Sequence, residues 1–283
     1  MRRLNTKQQI FYQAGLVLIA VFVLVPIWGL VYLAFDGGVT GWPTTFRVWP
    51  EQLTLSVFES VWQRPSQSLP FVGLLKNSFI VSGGAAILSV VLGTSMAYAF
   101  ARYRFYGRKA GLFGLLVGAL LPPVALMTPL YILLTIIGLR TTLLGLMIVY
   151  TAFAMPFCVW NMRASFQTVS KELEEAAFLD GATPLVTFWN ITLPLAMPSI
   201  AVAAIIAFLI GYSEFAMGWL FVDKSQNVTL AMAIAGILQG DSLVSWSNLA
   251  ALSILMSAPV IILFLILERY MVDRFFYGSP GVG

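Results

Sequence analysis

Six stretches of this chain are long, apolar and nearly free of charge, and that recurrence restricts the fold before any motif is read. They lie at about 12–35, 74–100, from Gly111 up to Gly138, 143–162, 195–221 and 249–267. About 20 apolar residues of helix cross a bilayer core, so six such segments are too many for a soluble core with one anchor. Composition agrees, with 59% hydrophobic and 10% charged residues against about 25% charged in soluble domains. The expected fold class is an all-α polytopic membrane protein with six transmembrane helices. Residues 1–283 read as one transmembrane domain, with 74–270 as its core helices.

The net charge of +4 reads as topology and gives no nucleic-acid surface, because the cations flank the spans instead of striping one face. Arg102, Arg104, Arg108 and Lys109 crowd the loop after the second span and mark that side as cytoplasmic. Lipid head groups are the alternative partner of this cluster. Arg2, Arg3, Lys7, Arg163, Lys171, Arg269 and Arg274 fall on the same side, while Arg47, Arg64, Lys76, Arg140 and Lys224 fall on the other. Both termini are then expected in the cytoplasm of a bacterial or archaeal inner membrane. The chain has no histidine and its one cysteine is Cys158. That excludes an internal disulfide, a His/Cys metal site and histidine-based catalysis.

The first span resembles a signal sequence, but its apolar run exceeds the usual h-region and no small-residue cleavage site closes it, so it reads as a retained helix. Residues 36–69 and 223–246 read as external segments, the second with a short apolar helix over 229–238. Ser82, Gly83, Gly84, Ser89, Gly93 and Thr94 make the second span suited to close packing in a bundle. Lys76 and Asn77 at its outer end are candidates for substrate contact, with snorkelling or capping as the plainer role. Pro122 and Pro123 interrupt the third span; such a break lines a pathway, serves as a hinge, or is a structural kink. Glu214, near the outer end of the fifth span, is the one acid placed within an apolar run. Structure, gating and ligand contact are its candidate roles.

The longest polar interruption with helical grammar of its own begins at Ser170 and lies within a cytoplasmic loop at 165–195. Ser170 suits a helix N-cap, Glu172, Glu174 and Glu175 suit the first turns, and Gly181 suits a left-handed stop. Thr183 then caps and Pro184 starts a second helix, expected to end at Pro194. Leu173, Ala176 and Ala177 are expected on one small apolar face, with the carboxylates opposite. The pair forms a helix-turn-helix whose small face fits a partner's groove; an amphipathic connector packing on its own protein is the plainer reading.

Glu175-Ala176-Ala177, Gly181, Ile191 and Leu193-Pro194 have the spacing of the EAA signature, and the chain resembles the permeases of bacterial ABC importers, with a MetI-like architecture. Asn77-Ser78, the run from Gly138 to Gly145, and Asp180-Gly181-Ala182-Thr183 extend the resemblance toward MalG-like carbohydrate-uptake subunits. The resemblance implies a coupling loop that docks into an ATP-hydrolysing subunit, with Glu175 as an ionic contact, Ala176 and Ala177 permitting close approach, and Gly181 making the turn. It also implies a second related permease, an ABC ATPase dimer holding ATP and Mg2+, an extracytoplasmic solute-binding protein and a sugar as cargo, with an ABC permease for another solute, such as an amino acid or phosphate, as the alternative. This chain itself would hold no cofactor and catalyse nothing. Tyr212-Ser213-Glu214 stands where relatives have Trp-Asn before the glutamate, so gate and substrate contacts do not transfer. The tail from Gly278 to Gly283 lacks the lysine that relatives carry there. An ion-coupled secondary transporter using Glu214 is the competing class, although no inverted repeat supports it. A membrane-embedded enzyme is a third, and it lacks clustered catalytic groups.

Overall fold

Apolar runs in a medium without water satisfy their backbone groups internally, and the chain does so as helices. The computed structural model describes residues 5–37, 39, 48–65, 69–239 and 245–277. Arg2, Arg3, Arg47 and the tail from Gly278 lie outside the described residues, as do Gly38, Gly41, Trp42 and Pro43 of the first external segment. In chain order the helices are α1 (Thr6–Phe35), α2 (Ser56–Gln63), α3 (Phe71–Arg102), α4 (Arg108–Leu120), α5 (Pro123–Ile136), α6 (Leu143–Thr168), α7 (Lys171–Leu179), α8 (Pro184–Thr187), α9 (Leu193–Ser213), α10 (Ala216–Phe221), α11 (Leu230–Gln239) and α12 (Trp246–Tyr277). A π-helical turn, Phe188–Thr192, joins α8 to α9.

Among the described residues, five helical stretches are long and apolar enough to cross a membrane, and a sixth crossing is formed if α4 and α5 count as one span. Those two are bent by 103° at the paired prolines. Pro122 holds the extended N-cap position and Pro123 opens α5, where a missing N–H costs nothing. The fifth span departs from expectation. Pro194 does not end the helix after Pro184, which continues to Ser213 as one 30-residue stretch. The π-turn is the reason: the Leu193 N–H reaches back to Phe188 O, and the widened turn makes room for a proline ring that would otherwise meet the carbonyl four residues earlier. The helix ends instead at Glu214, ahead of the separate α10.

The chain divides into two compact units, residues 1–71 with 234–258, and 72–233 with 259–283. In the first, Asp36 organises the turn after α1. Its carboxylate accepts the N–H groups of Glu51 (3.0 Å) and Gln52 (3.3 Å), and its carbonyl accepts the Ser247 hydroxyl. Most of α1 is exposed, with Tyr32 and Ala34 as its buried residues.

In the second unit α3, α5, α6, α10 and α11 share a core of Val81, Ala85, Leu134, Leu146, Val149, Tyr150, Phe221 and Met232, and α9 packs along α6 with Ala196, Ala203, Ala207 and Gly211 buried. Small residues let the helix backbones approach. A Cβ on Gly211 would stand 3.1 Å from Ser82 Cα and 3.3 Å from the Tyr150 ring, and one on Gly93 would stand 2.9 Å from Met162 Cε. Interhelical hydrogen bonds add to this between α6 and α9: Asn161 Nδ2 donates to Ser199 O (2.9 Å), and the Ser199 hydroxyl returns one to Asn161 O. Outward faces of these helices are apolar, as contact with lipid requires.

Candidate functional site

At the end of the second unit where α3 and α6 finish, α7 folds from its own caps. Ser170 Oγ accepts the Glu172 N–H at 3.3 Å, and Glu172 and Glu174 occupy the first turn, where the macrodipole favours acids. Gly181 closes the helix at φ +86°, with the Ala182 N–H reaching Ala177 O (2.9 Å). Thr183 Oγ1 then accepts the Val186 N–H at 3.4 Å, and Pro184 opens α8.

The side chains of α7 do not divide as expected. Glu174 and Ala177, three residues apart, turn inward and are 5% and 9% exposed, whereas Leu173 and Ala176 face out with Glu175. The cause lies on α3. Arg102 Nε meets Glu174 Oε1 at 2.9 Å while its Nη2 donates to Val169 O at 2.9 Å, and Thr192 Oγ1 donates to the same carboxylate oxygen at 2.7 Å. One buried acid therefore ties α7 to the end of α3 and to the π-turn. Breaking such a pair from one side costs about 3–5 kcal/mol, because an uncompensated charge stays buried.

What remains outward is an apolar surface with an acidic edge. Leu173, Leu179, Leu185, Val186 and Trp189 are exposed beside Ala176, and Glu172, Glu175 and Asp180 border them. Ile191 and Leu193 are half-buried, and Pro194 sits at the start of α9 beyond the π-turn. The signature residues thus separate into an outward group, Glu175 and Ala176, and a group that shapes the turn, Ala177, Gly181, Ile191, Leu193 and Pro194.

The residues singled out for a pathway or gate lie elsewhere in the same unit. Asn77 is buried and its Nδ2 donates to Gln226 O (2.8 Å) and Val228 O (2.9 Å), while Ser78 Oγ accepts the Leu230 N–H. Together they strap the loop before α11 onto α3. Tyr212 is buried, stacked on Phe208 at 5.2 Å and edge-on to Phe79. Ser213 is exposed, and its hydroxyl donates to Leu209 O. Glu214 accepts from the Tyr150 hydroxyl (2.7 Å) and from the N–H groups of Met217 (2.9 Å) and Gly218 (3.2 Å). It caps α10 and pins α6 in one arrangement. Pro122 and Pro123 stand at the bend, apart from this cluster in the chain and at an exposed position.

Three contributors escaped the sequence reading. Arg102 was visible only as one of four cations, Glu174 only as an acid in an acidic turn, and Tyr150 not at all. Nearby, the run from Gly138 to Gly145 forms a fixed turn: Arg140 pairs with Asp223 at 2.6 Å and lies over the Tyr131 ring, and Asn227 Nδ2 donates to Thr141 O.

Residues 89–277 match the family described as binding-protein-dependent transport system inner membrane component. The maltose/maltodextrin transport system permease protein MalG of Escherichia coli (strain K12) is 33% identical over 80% of this chain and 77% of that protein. The probable ABC transporter permease protein YurM of Bacillus subtilis (strain 168) is also 33% identical, over 79% of this chain and 77% of that protein. The fold is shared with a bacterial ABC transporter involved in the import of the acidic polysaccharide alginate, at a TM-score of 0.74 and 21% identity over 95% of this chain and 99% of that one. With two thirds of its length inside the family match, the chain belongs to the binding-protein-dependent transport system inner membrane components and is a multi-pass permease subunit of an ABC importer.

Proposed function

We propose that this permease translocates a sugar or oligosaccharide delivered by an extracytoplasmic solute-binding protein, in a pore shared with a second, related permease. ATP is hydrolysed by a separate ABC ATPase dimer, and this chain is the non-catalytic partner. The observation that carries the coupling role is the outward surface of α7 and α8. It is apolar, includes the small exposed residue Ala176, and is anchored from behind by Arg102 and Glu174. A surface that is both exposed and rigidly backed suits a cleft in another protein. The end bearing it is cytoplasmic, as the cations at 102–109 favour, and both termini lie on that side. The maltose and maltodextrin in the name of MalG support the sugar class.

Ion-coupled transport through Glu214 is the weaker reading, because both carboxylate oxygens are already occupied by local donors. The test is purification of the tagged chain in mild detergent followed by reconstitution. The expected result is recovery of a P-loop ATPase and a second permease, with sugar uptake that needs ATP and the binding protein. Uptake by the chain alone, driven by an ion gradient without ATP, would overturn the proposal.

A further inference from the structure

At the end where α3 and α6 finish lies an open depression of about 930 Å3, set between the loop after α3, the start of α4 and Arg163 of α6. Among the described residues its lining carries Arg104, Arg108, Lys109 and Arg163 and no carboxylate. Four cations without an acid are unusual in one concavity, since surface cations are normally interspersed with acids.

Two of these cations are held in place. Arg108 donates through Nε (3.0 Å) and Nη2 (2.6 Å) to Phe100 O at the end of α3, which fixes its charge at the wall. Arg163 lies over the Trp160 ring at 5.5 Å, and its Nε is buried with no hydrogen-bond partner among the described residues. Arg104 and Lys109 are exposed and have no ion-pair partner among the described residues. The other cation of the cluster, Arg102, is consumed by Glu174 and belongs to a different network.

We propose that this depression binds the headgroup phosphate of an anionic membrane lipid, a site that rests on the cytoplasmic assignment of this end. Phosphate supplies acceptors to Arg104, Lys109 and the Arg163 guanidinium, beside the fixed charge of Arg108. A membrane lipid suits the surroundings better than a soluble anion. Phe105 and Leu112 in the lining continue into the exposed apolar side of α4, at Phe113, Leu116 and Leu120, where acyl chains would lie. Tyr106, in the lining, is exposed, as aromatic residues are at a headgroup boundary. Juxtamembrane cations of this kind attract anionic lipid by roughly a fivefold gain in binding each.

The experiment uses the whole importer in phosphatidylcholine nanodiscs doped with phosphatidylglycerol, with retained lipid counted by native mass spectrometry after detergent extraction. Wild type is expected to hold phosphatidylglycerol in preference to phosphatidylcholine. Arg104→Gln and Lys109→Gln, both at exposed positions, are each expected to lower retention about fivefold, and Arg163→Gln by at least as much. Lys224→Gln, on another loop, is expected to leave it unchanged. Equal retention by wild type and the Arg104→Gln/Lys109→Gln double variant would overturn the site, as would an equal loss in Lys224→Gln. Displacement of the lipid by inorganic phosphate at matched ionic strength would also overturn it, in favour of a soluble-anion site. Labelling of Lys109→Cys by an impermeant thiol reagent, in vesicles of known orientation, checks the topology separately. Labelling from the outer side would sink the cytoplasmic assignment, whereas labelling from the inner side with no lipid preference would sink the lipid site alone.

Discussion

Ala176 and Ala177 are adjacent in a motif and opposite in environment. Ala176 faces out, so Ala176→Trp is expected to leave folding intact and to abolish ATP-driven uptake, measured in proteoliposomes containing the full importer. Ala177 packs on its own chain, so Ala177→Trp is expected to cost about 1–3 kcal/mol of stability through overpacking, read as a lower melting temperature in detergent. Normal uptake by Ala176→Trp would remove the docking role from this face. Glu214 offers a second residue-scale contrast. Tyr150→Phe removes one donor to a carboxylate and should cost about 1.5–3 kcal/mol, while Glu214→Ala strips the cap from α10 as well and should cost more, both read by thermal melting. Uptake that still needs ATP in Tyr150→Phe is expected, since the hydroxyl serves packing here. These pairings were not legible in the sequence because they join residues far apart: Tyr150 and Glu214 are 64 positions apart, and Asn77 reaches acceptors 149 and 151 positions away. The Ser170 and Thr183 caps and the positive φ of Gly181 are local features and are legible in the sequence.

At the scale of elements, the apolar runs and the proline break between α4 and α5 were written plainly, because length, hydropathy and a missing N–H are properties of a segment by itself. The face that α7 buries was not. Nine residues make little more than two turns, and on so short a helix a single buried ion pair decides the rotation against the apolar pattern. The π-turn escaped for a similar reason: a proline signals a break, and whether the helix stops or widens depends on what packs beyond it. The close approach of α9 to α3 gives a direct check. Gly211→Leu places a branched side chain where a Cβ alone would stand 3.1 Å from the Ser82 backbone. It is expected to force the two helices apart, with a loss of about 1–3 kcal/mol or more and a reduced yield of folded protein in the membrane. Unchanged stability in that variant would mean that the helices are not packed at this crossing.

For the molecule as a whole, the balance of buried and exposed surface is that of a subunit. Only 6% of the apolar window of α1 is buried within the chain, and the outer faces of α4 and α5 carry further exposed aliphatic and aromatic side chains. Lipid and other subunits cover such surfaces. The fold of this chain is therefore expected to be less stable alone in detergent than in the assembled importer, which parallel melting of the two preparations checks. One feature of the second unit sets the scale of what the assembly can transmit. From Pro184 to Ser213 the chain is a single helical rod of 30 residues, roughly 45 Å long at about 1.5 Å per residue. One end lies beside the Gly181 turn and the other ends at Glu214. A rod of that length tilted by only about 5° sweeps its far end through about 4 Å. A push at the α7 surface too small to unfold any contact there would thus be geometrically amplified at the carboxylate that caps α10.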